Sequence, residues 1–489
     1  MRYDAAIIGA GSDGLAAAIV LARAGLKVRV VDRGAAPGGA LQTREFHPGF
    51  RASPFFDSVA PVPADIYRAL GLAGAGAVFA PPPSSLALWP DGQRIIGPDR
   101  GGAASALLDE AKRRSAAILA HAAADAADLP PRFAFFARPG GAAWPAEDWA
   151  FASLCDAVEE RIADPRLAAH ALAAALGGRS ADPMLAGSAL HLLASADGGA
   201  LAGGPARLAT ALAGLAAAAG AELGCGVEIS AIRRTRDKAS GLALGDGSEI
   251  EARAVISTLD LKQTFLALFA WRHLPEAVVQ RAGHFRMGGG TARVLFALDA
   301  PPALPSAALR SPLHLMPEAR AFTAASAAAL ANLIPERPPV TLRIVSAADP
   351  GLAPAGKAVV TATLTAIPFR LFDGAWTHEK RDLLRERALA AAEAVLPGIG
   401  DRVLAAQVVA PPDIEAGLGA TEGDLMGGEI ASDQMLGLRP GFDAAGPRTP
   451  VAGLYLAGPS TTAGVVASCA SGVFAARALL ADLQAGRLK

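Results

Sequence analysis

Cysteine is scarce in this chain of 489 residues: only Cys155, Cys225 and Cys469 occur, far apart and without a CxxC pair. That excludes a disulfide framework or a thiolate zinc site and suits a reducing cytoplasm. The eight histidines are scattered, with no HExxH, so no metal centre is expected. No excess of one charge exists either. The formal net charge of −1 offers nothing to a polyanion, which argues against a nucleic-acid partner. Aromatic residues make up only 5%, too few to favour an aromatic cage. No unbroken apolar run of about 18 residues calls for a membrane-spanning helix. The first apolar run reads as a strand and not as a signal-peptide core. Peripheral membrane contact through an apolar mouth stays compatible with these absences.

What is present is a large apolar share, 52%, with 53 glycines. The length exceeds one small core, so two domains are expected. The first fifty residues carry the strongest pattern. An apolar run, Ala5 to Ile8, leads into Gly9, Gly11 and Gly14, spaced G-x-G-x-x-G. A helical segment, Leu15 to Ala24, ends at Gly25, and a second apolar run, Val28 to Val31, ends on Asp32. In this order Gly9 permits the turn, Gly11 admits a pyrophosphate, and Gly14 lets helix and strand pack closely. The helix N-terminus offers free N–H groups and the positive dipole end. Asp32 stands about 20 residues on, where an acid accepts from a ribose hydroxyl. The pattern predicts dinucleotide binding.

After Asp32 come Arg33 and the pair Gly38-Gly39, followed by Ala40. An acid, an arginine and a Gly-Gly pair after the second strand resemble the FAD proteins of the two-dinucleotide-fold type. The resemblance implies FAD, with this loop passing near the diphosphate and the flavin. Beyond it, Arg51 and Ser53 are site candidates, Arg51 serving equally as a surface ion-pair member. Ala64 to Leu70 reads as a helix, and Leu86 to Ile96 as a hairpin turning at Asp91-Gly92. Residues 104–128 read as a helix and 137–145 as a loop. Residues 151–220 look helical, and His170 and His191 there fit structural histidines better than ligands. The segment AELGCGVEISAIRR reads as one strand, and Gly245-Asp246-Gly247 as the turn joining two more. Strands follow within 284–300 and 331–369, and an amphipathic helix over 379–396. Residues 450–483 form a strand, a glycine turn at Gly458, a small-residue loop and a helix. Ala463 to Ser471, Ala467 and Cys469 among them, are small enough for a cofactor to approach. His284, Arg293 and Arg439 are the candidates for a catalytic group, and a buried structural role suits Arg293 as well.

Together these stretches resemble the phytoene dehydrogenase-related flavoproteins, which include carotenoid desaturases and retinol saturases. The resemblance rests on IIGAGSDGLAAAIVLARAG and DRGAAPGGALQTREFHPGF, then AVISTLDLKQTF and ADPGLAPAGKAVV, and finally GATEGDLMGGEIASDQMLGLRP and GLYLAGPSTTAG. It implies an α/β fold: a Rossmann-like FAD-binding domain built from 1–75, 201–283 and 441–489, with an interleaved α+β substrate domain from 76–200 and 284–440. It implies FAD held by Gly9, Gly11, Gly14, Asp32, Arg33, Gly38, Gly39, Ala40, Val227, Gly458 and Ala467, with the backbone of Val227 at the adenine. It further implies dehydrogenation of a hydrophobic, isoprenoid or polyene-like substrate by hydride transfer to the flavin. A flavin amine or alcohol oxidase on the same scaffold is the alternative, and a non-catalytic flavoprotein another. Relatives often carry Asn where Asp13 stands, and His-Pro with consecutive glycines near Thr462 to Val466. Gly71 to Gly76 follows a helix, so no second fingerprint for NAD(P)H is found.

Overall fold

The computed structural model describes residues 2–80, 84–97, 102–124, 148–194, 201, 203–442 and 446–488. The loop expected over 137–145 and the end of the helix expected over 104–128 lie outside them. That helix runs from Ala103 to Ala124.

Two sheets organise the molecule. The first pairs Arg2–Ile8 in parallel with Val28–Asp32 on one side and Glu249–Ser257 on the other. Glu222–Cys225 adds beyond Val28–Asp32, and Leu454–Leu456 pairs with Glu249–Ser257, both in parallel. A parallel sheet buried on both faces needs apolar residues on each side of every strand. The first strand meets this: Ala5 and Ile7 face one core, and Ala6 and Ile8 the other. The first core is closed by helices Ser12–Arg23, Pro205–Ala218 and Ala470–Gln484, which are rich in alanine. Small side chains let these helices come close. A Cβ on Gly472 would stand 1.9 Å from the Asp13 carbonyl oxygen.

The segment expected as one strand, AELGCGVEISAIRR, is two: Glu222–Cys225 and Ile229–Thr235. Gly226 takes φ +70 between them. There Gly226 N–H donates to Gly34 O at 2.7 Å and Val227 N–H to Asp32 O at 3.0 Å. The chain turns at this point because its amides are drawn to the end of Val28–Asp32. Val227 thus lies in a connection and not in a strand.

The second sheet, largely antiparallel, orders Val403–Val409, Thr291–Leu298, Ala358–Thr365, Val340–Ile344, Leu313–Leu315, Ser85–Leu88 and Arg94–Gly97. Its strands alternate with period two. One face carries Val294, Phe296, Val360, Leu342 and Leu313 against Leu384, Ala388 and Ala392 of helix His378–Glu393. The other face is mixed. Leu295, Ala297 and Val359 pack on the short hairpin Arg44–His47 and Phe50–Ala52. Arg293, Thr361, Thr363, Thr341, Arg343 and His314, on the same alternation, make the rest of that face polar. No helix among the described residues is long and apolar enough to cross a membrane.

Candidate functional site

The three fingerprint glycines divide by what surrounds them. Gly9 has φ +97, and a Cβ there would stand 2.1 Å from Thr258 Oγ1. A Cβ on Gly14 would stand 1.9 Å from the Gly9 carbonyl oxygen. Both glycines therefore serve the packing of strand, turn and helix. Gly11 differs: a Cβ there would meet nothing within 4 Å. It is the N-cap of helix Ser12–Arg23 and brings no side-chain cap. An uncapped helix N-terminus beside open space suits an anionic diphosphate.

The second glycine pair folds over the first. Gly38, at φ +128, donates its N–H to Ala10 O at 2.8 Å. A Cβ on Gly39 would stand 3.4 Å from Gly11 Cα. Ala40 follows on the same loop and its carbonyl faces Ser53 Oγ at 3.4 Å. Asp32 accepts from Ala10 N–H at 2.6 Å and from Gly34 N–H at 2.7 Å, one bond to each oxygen. Its carboxylate thus braces the turn from which a ribose would be held. Arg33 points the other way, donating to the carbonyls of Glu415 and Ala416 on helix Pro411–Leu418. The Val227 amide is spent on Asp32 O, as described above.

The C-terminal segment closes the cradle from the third side. Gly458, at φ +79, would place a Cβ 2.5 Å from Thr258 O, and its N–H donates to Ser471 Oγ at 2.8 Å. Ser471 donates to Asp13 Oδ1 at 2.6 Å, and Gly472 N–H reaches the same oxygen at 3.2 Å. A short helix, Thr462–Val466, not foreseen from the sequence, occupies the small-residue loop and ends at the buried Ala467. Cys469 is buried at φ +66, and burial pushes its thiol well above the usual range. All three cysteines are free thiols.

A cleft lies against the second sheet, between the segment that follows Gly38-Gly39 and the start of helix Pro205–Ala218. Thr43, Ser53 and Asp57 line it from the segment after Gly38-Gly39, and Gly204 from the start of helix Pro205–Ala218. Arg310, Arg343 and Asp349 line it from the second sheet's side. Asp57 and Arg293 form an ion pair of 2.5 Å with side chains 6% and 3% exposed. Thr361 Oγ1 donates to the other Asp57 oxygen at 2.9 Å, and Arg293 donates to Thr363 Oγ1 at 3.0 Å. Arg293 Nε has no partner among the described residues. Asp349 accepts from Gly351 N–H through Oδ1, while Oδ2 lies 4.0 Å from where a Gly204 Cβ would be.

The three candidate catalytic groups are not brought together. Arg293 lies beside the cleft, locked to Asp57. His284 is exposed at the end of helix Glu276–His284. Arg439 is fully buried and donates to the carbonyls of Met426, Gly428, Glu429, Gln434 and Pro459. Burial lowers its pKa to about 10, so it stays cationic at neutral pH, and its role is to brace loops. Ser53 lines the cleft, whereas Arg51 is exposed. His170 shares a 2.8 Å hydrogen bond with Ser85 Oγ, and burial holds its pKa near 4. Burial, then Arg179, brings His191 to about 3. The sequence reading missed Asp57 and Asp349. Asp57 lies in no motif, Asp349 stands in the ADPGLAPAGKAVV stretch without a role assigned to it, and only the fold sets them in one cleft.

Comparisons with known proteins bear on this arrangement. The sequence profile of the flavin containing amine oxidoreductases matches residues 14–480. Pyridine nucleotide-disulfide oxidoreductase domain-containing protein 2 of Rattus norvegicus is 28% identical over 546 residues, covering 99% of this chain and 94% of that protein. A shorter stretch of 86 residues is 43% identical to a limonene dehydrogenase polypeptide of Castellaniella defragrans, covering 17% of this chain and 15% of that one. Among solved structures, a redesigned putrescine oxidase superposes with a TM-score of 0.63 at 16% identity, over 99% of both chains. That likeness speaks for the fold, and the profile match speaks for the family. The chain is thus an FAD-dependent oxidoreductase that belongs to the flavin containing amine oxidoreductase family.

Proposed function

We propose that this protein oxidises a small polar substrate, an amine before an alcohol, at the carbon that bears the heteroatom. The observation that carries the reading is the polar face of the second sheet where it meets the cleft. Arg293, Thr361, Thr363, Thr341, Arg343 and His314 share that face, and Asp57 and Asp349 stand at the cleft. The family profile and the putrescine oxidase fold support it. FAD, held by Gly9, Gly11, Gly14, Asp32, Gly38, Gly39 and Gly458, supplies acceptance of hydride from that carbon. Arg33 stands outside this set, since its guanidinium is bound to helix carbonyls. Asp349, with one oxygen free of protein partners among the described residues, accepts a hydrogen bond from the substrate amine, which gives up hydride in its neutral form after its ammonium proton has passed to solvent. Arg293 and Thr361 hold Asp57 in place, so that the cleft presents a second carboxyl edge. Phe56 supplies an apolar wall.

Desaturation of an isoprenoid is the second reading, favoured by the short stretch shared with the limonene dehydrogenase polypeptide. A hydrocarbon in this cleft would strip water from Arg310, Arg343 and Asp349 at its wall without replacing it. Each group so stranded costs about 1–3 kcal/mol. Anaerobic titration of the holoenzyme, read by loss of its flavin absorption, separates the readings. Bleaching by putrescine or benzylamine, with limonene inert, is the expected result. The Asp349→Asn variant should then raise KM for the amine about tenfold, the scale of one lost charge-assisted hydrogen bond. Bleaching by limonene alone would return the site to the isoprenoids. No bleaching by any of these compounds would favour a flavoprotein without turnover.

A further inference from the structure

We propose that Asp13 couples FAD binding to the uptake of one proton, which makes the cofactor's affinity fall as pH rises. Asp13 sits in the first turn of helix Ser12–Arg23, the turn whose free N–H groups face the open space at Gly11. Only 9% of the residue is exposed. One oxygen, Oδ1, accepts from Ser471 Oγ–H at 2.6 Å and from Gly472 N–H at 3.2 Å, and the Ser471 backbone also contributes to holding the carboxyl. Through Ser471 the same oxygen is tied to Gly458 N–H, so a single carboxyl joins the fingerprint helix, the Gly458 turn and the start of helix Ala470–Gln484.

Two physical facts make this carboxyl a proton acceptor when the nucleotide arrives. Burial already raises its pKa, because the water lost by the charged form outweighs the hydrogen bonds it gains from the Ser471 hydroxyl and the Gly472 and Ser471 backbone. No guanidinium or ammonium among the described residues contributes to holding it ionised. An FAD diphosphate at the helix N-terminus then adds negative charge to the same cradle, which favours the neutral acid further. The neutral acid loses nothing structural. With the proton on Oδ2, the carbonyl-type Oδ1 still accepts from Ser471 and Gly472. The other titratable groups around it are the Cys469 thiol, raised by burial and by Asp13, and Asp32 across the glycine turn.

Linkage fixes the sign. A ligand that raises a group's pKa binds most tightly where the group is protonated, and loses up to tenfold per pH unit between the free and bound pKa values. The test follows FAD release from full-length holoprotein on dilution, by the rise in flavin fluorescence, from pH 6 to pH 9. The wild type should lose affinity tenfold or more over that span. The Asp13→Asn variant should hold one affinity throughout, because its amide oxygen can keep the two bonds made at Oδ1 but no proton can be gained. Cys469→Ser should keep the wild-type slope. A flat wild-type profile, or the same slope in Asp13→Asn, would overturn the proposal. Should Asp13→Asn fail to fold, calorimetry of FAD rebinding to stripped wild type in two buffers of different ionisation enthalpy decides. One proton taken up supports the coupling, and none refutes it.

Discussion

Gly11 and Gly14 are three residues apart, identical in type, and opposite in what a methyl group would do. At Gly14 a Cβ would run into the Gly9 carbonyl at 1.9 Å, a backbone atom that cannot rotate away. Alanine gains about 1 kcal/mol of helix propensity over glycine. Overpacking against fixed backbone costs about 1–3 kcal/mol or more and outweighs it. Gly14→Ala should therefore lower the thermal midpoint of the protein. Gly11→Ala meets no protein atom, so its midpoint without added FAD should match wild type, while FAD affinity falls at least tenfold. Differential scanning fluorimetry with and without FAD checks both; a Gly11→Ala protein that binds FAD normally would displace the diphosphate from this hollow. The spacing G-x-G-x-x-G makes these roles readable in the sequence. The Asp57–Arg293 pair is not readable, because its members stand 236 residues apart and meet only through two different parts of the fold.

At the scale of elements, the reading succeeds where hydrophobic period and turn chemistry agree. Helix Ala64–Leu70 and the hairpin around Asp91-Gly92 lie where their signals put them. It fails where a tertiary hydrogen bond overrides local pattern. Gly226 and Val227 leave the strand because Gly34 O and Asp32 O claim their amides. The stretch 426–440 has no regular element beyond two short 3₁₀ turns, Ser432–Gln434 and Leu436–Leu438. What shapes it is Arg439, whose guanidinium gathers carbonyls from four of its residues and from Pro459. Methionine fills similar volume and offers no donor. Arg439→Met should strand these buried acceptors and destabilise the protein by on the order of 3 kcal/mol or more, seen as a lower urea midpoint. An unchanged midpoint would mean that water or a neighbour replaces all six bonds to these five carbonyls.

Across the whole molecule, burial of neutral imidazoles links stability to pH. His170 has a folded pKa near 4 against an ordinary 6.5. The unfolded chain thus binds this proton first, and the stabilising contribution of the neutral form is lost as pH falls from 6.5 towards 4. Buried Asp13, Asp260 and Asp424 carry raised pKa values and act in the opposite sense. A difference measurement isolates the histidine. His170→Gln should gain stability relative to wild type on going from pH 7.5 to pH 5, by chemical denaturation at both. A constant offset between the two proteins would show that His170 does not titrate on unfolding. The sequence announces the α/β class and the nucleotide half clearly, since glycine turns and apolar strands are local signals. The polar face of the second sheet is a property of register, set when Arg293 pairs with Thr363 and His314 with Thr341.

The strand order of the first sheet also bears on biosynthesis. The centre of the first sheet, Glu249–Ser257, is flanked by Arg2–Ile8 and by Leu454–Leu456. A ribosome delivers these three strands far apart in time. While the second sheet is being made, the nascent chain carries a parallel edge with its last neighbour missing and the Gly458 turn unformed. The cofactor cannot be enclosed during synthesis, and the growing polypeptide is the form of this protein with most reason to need a chaperone.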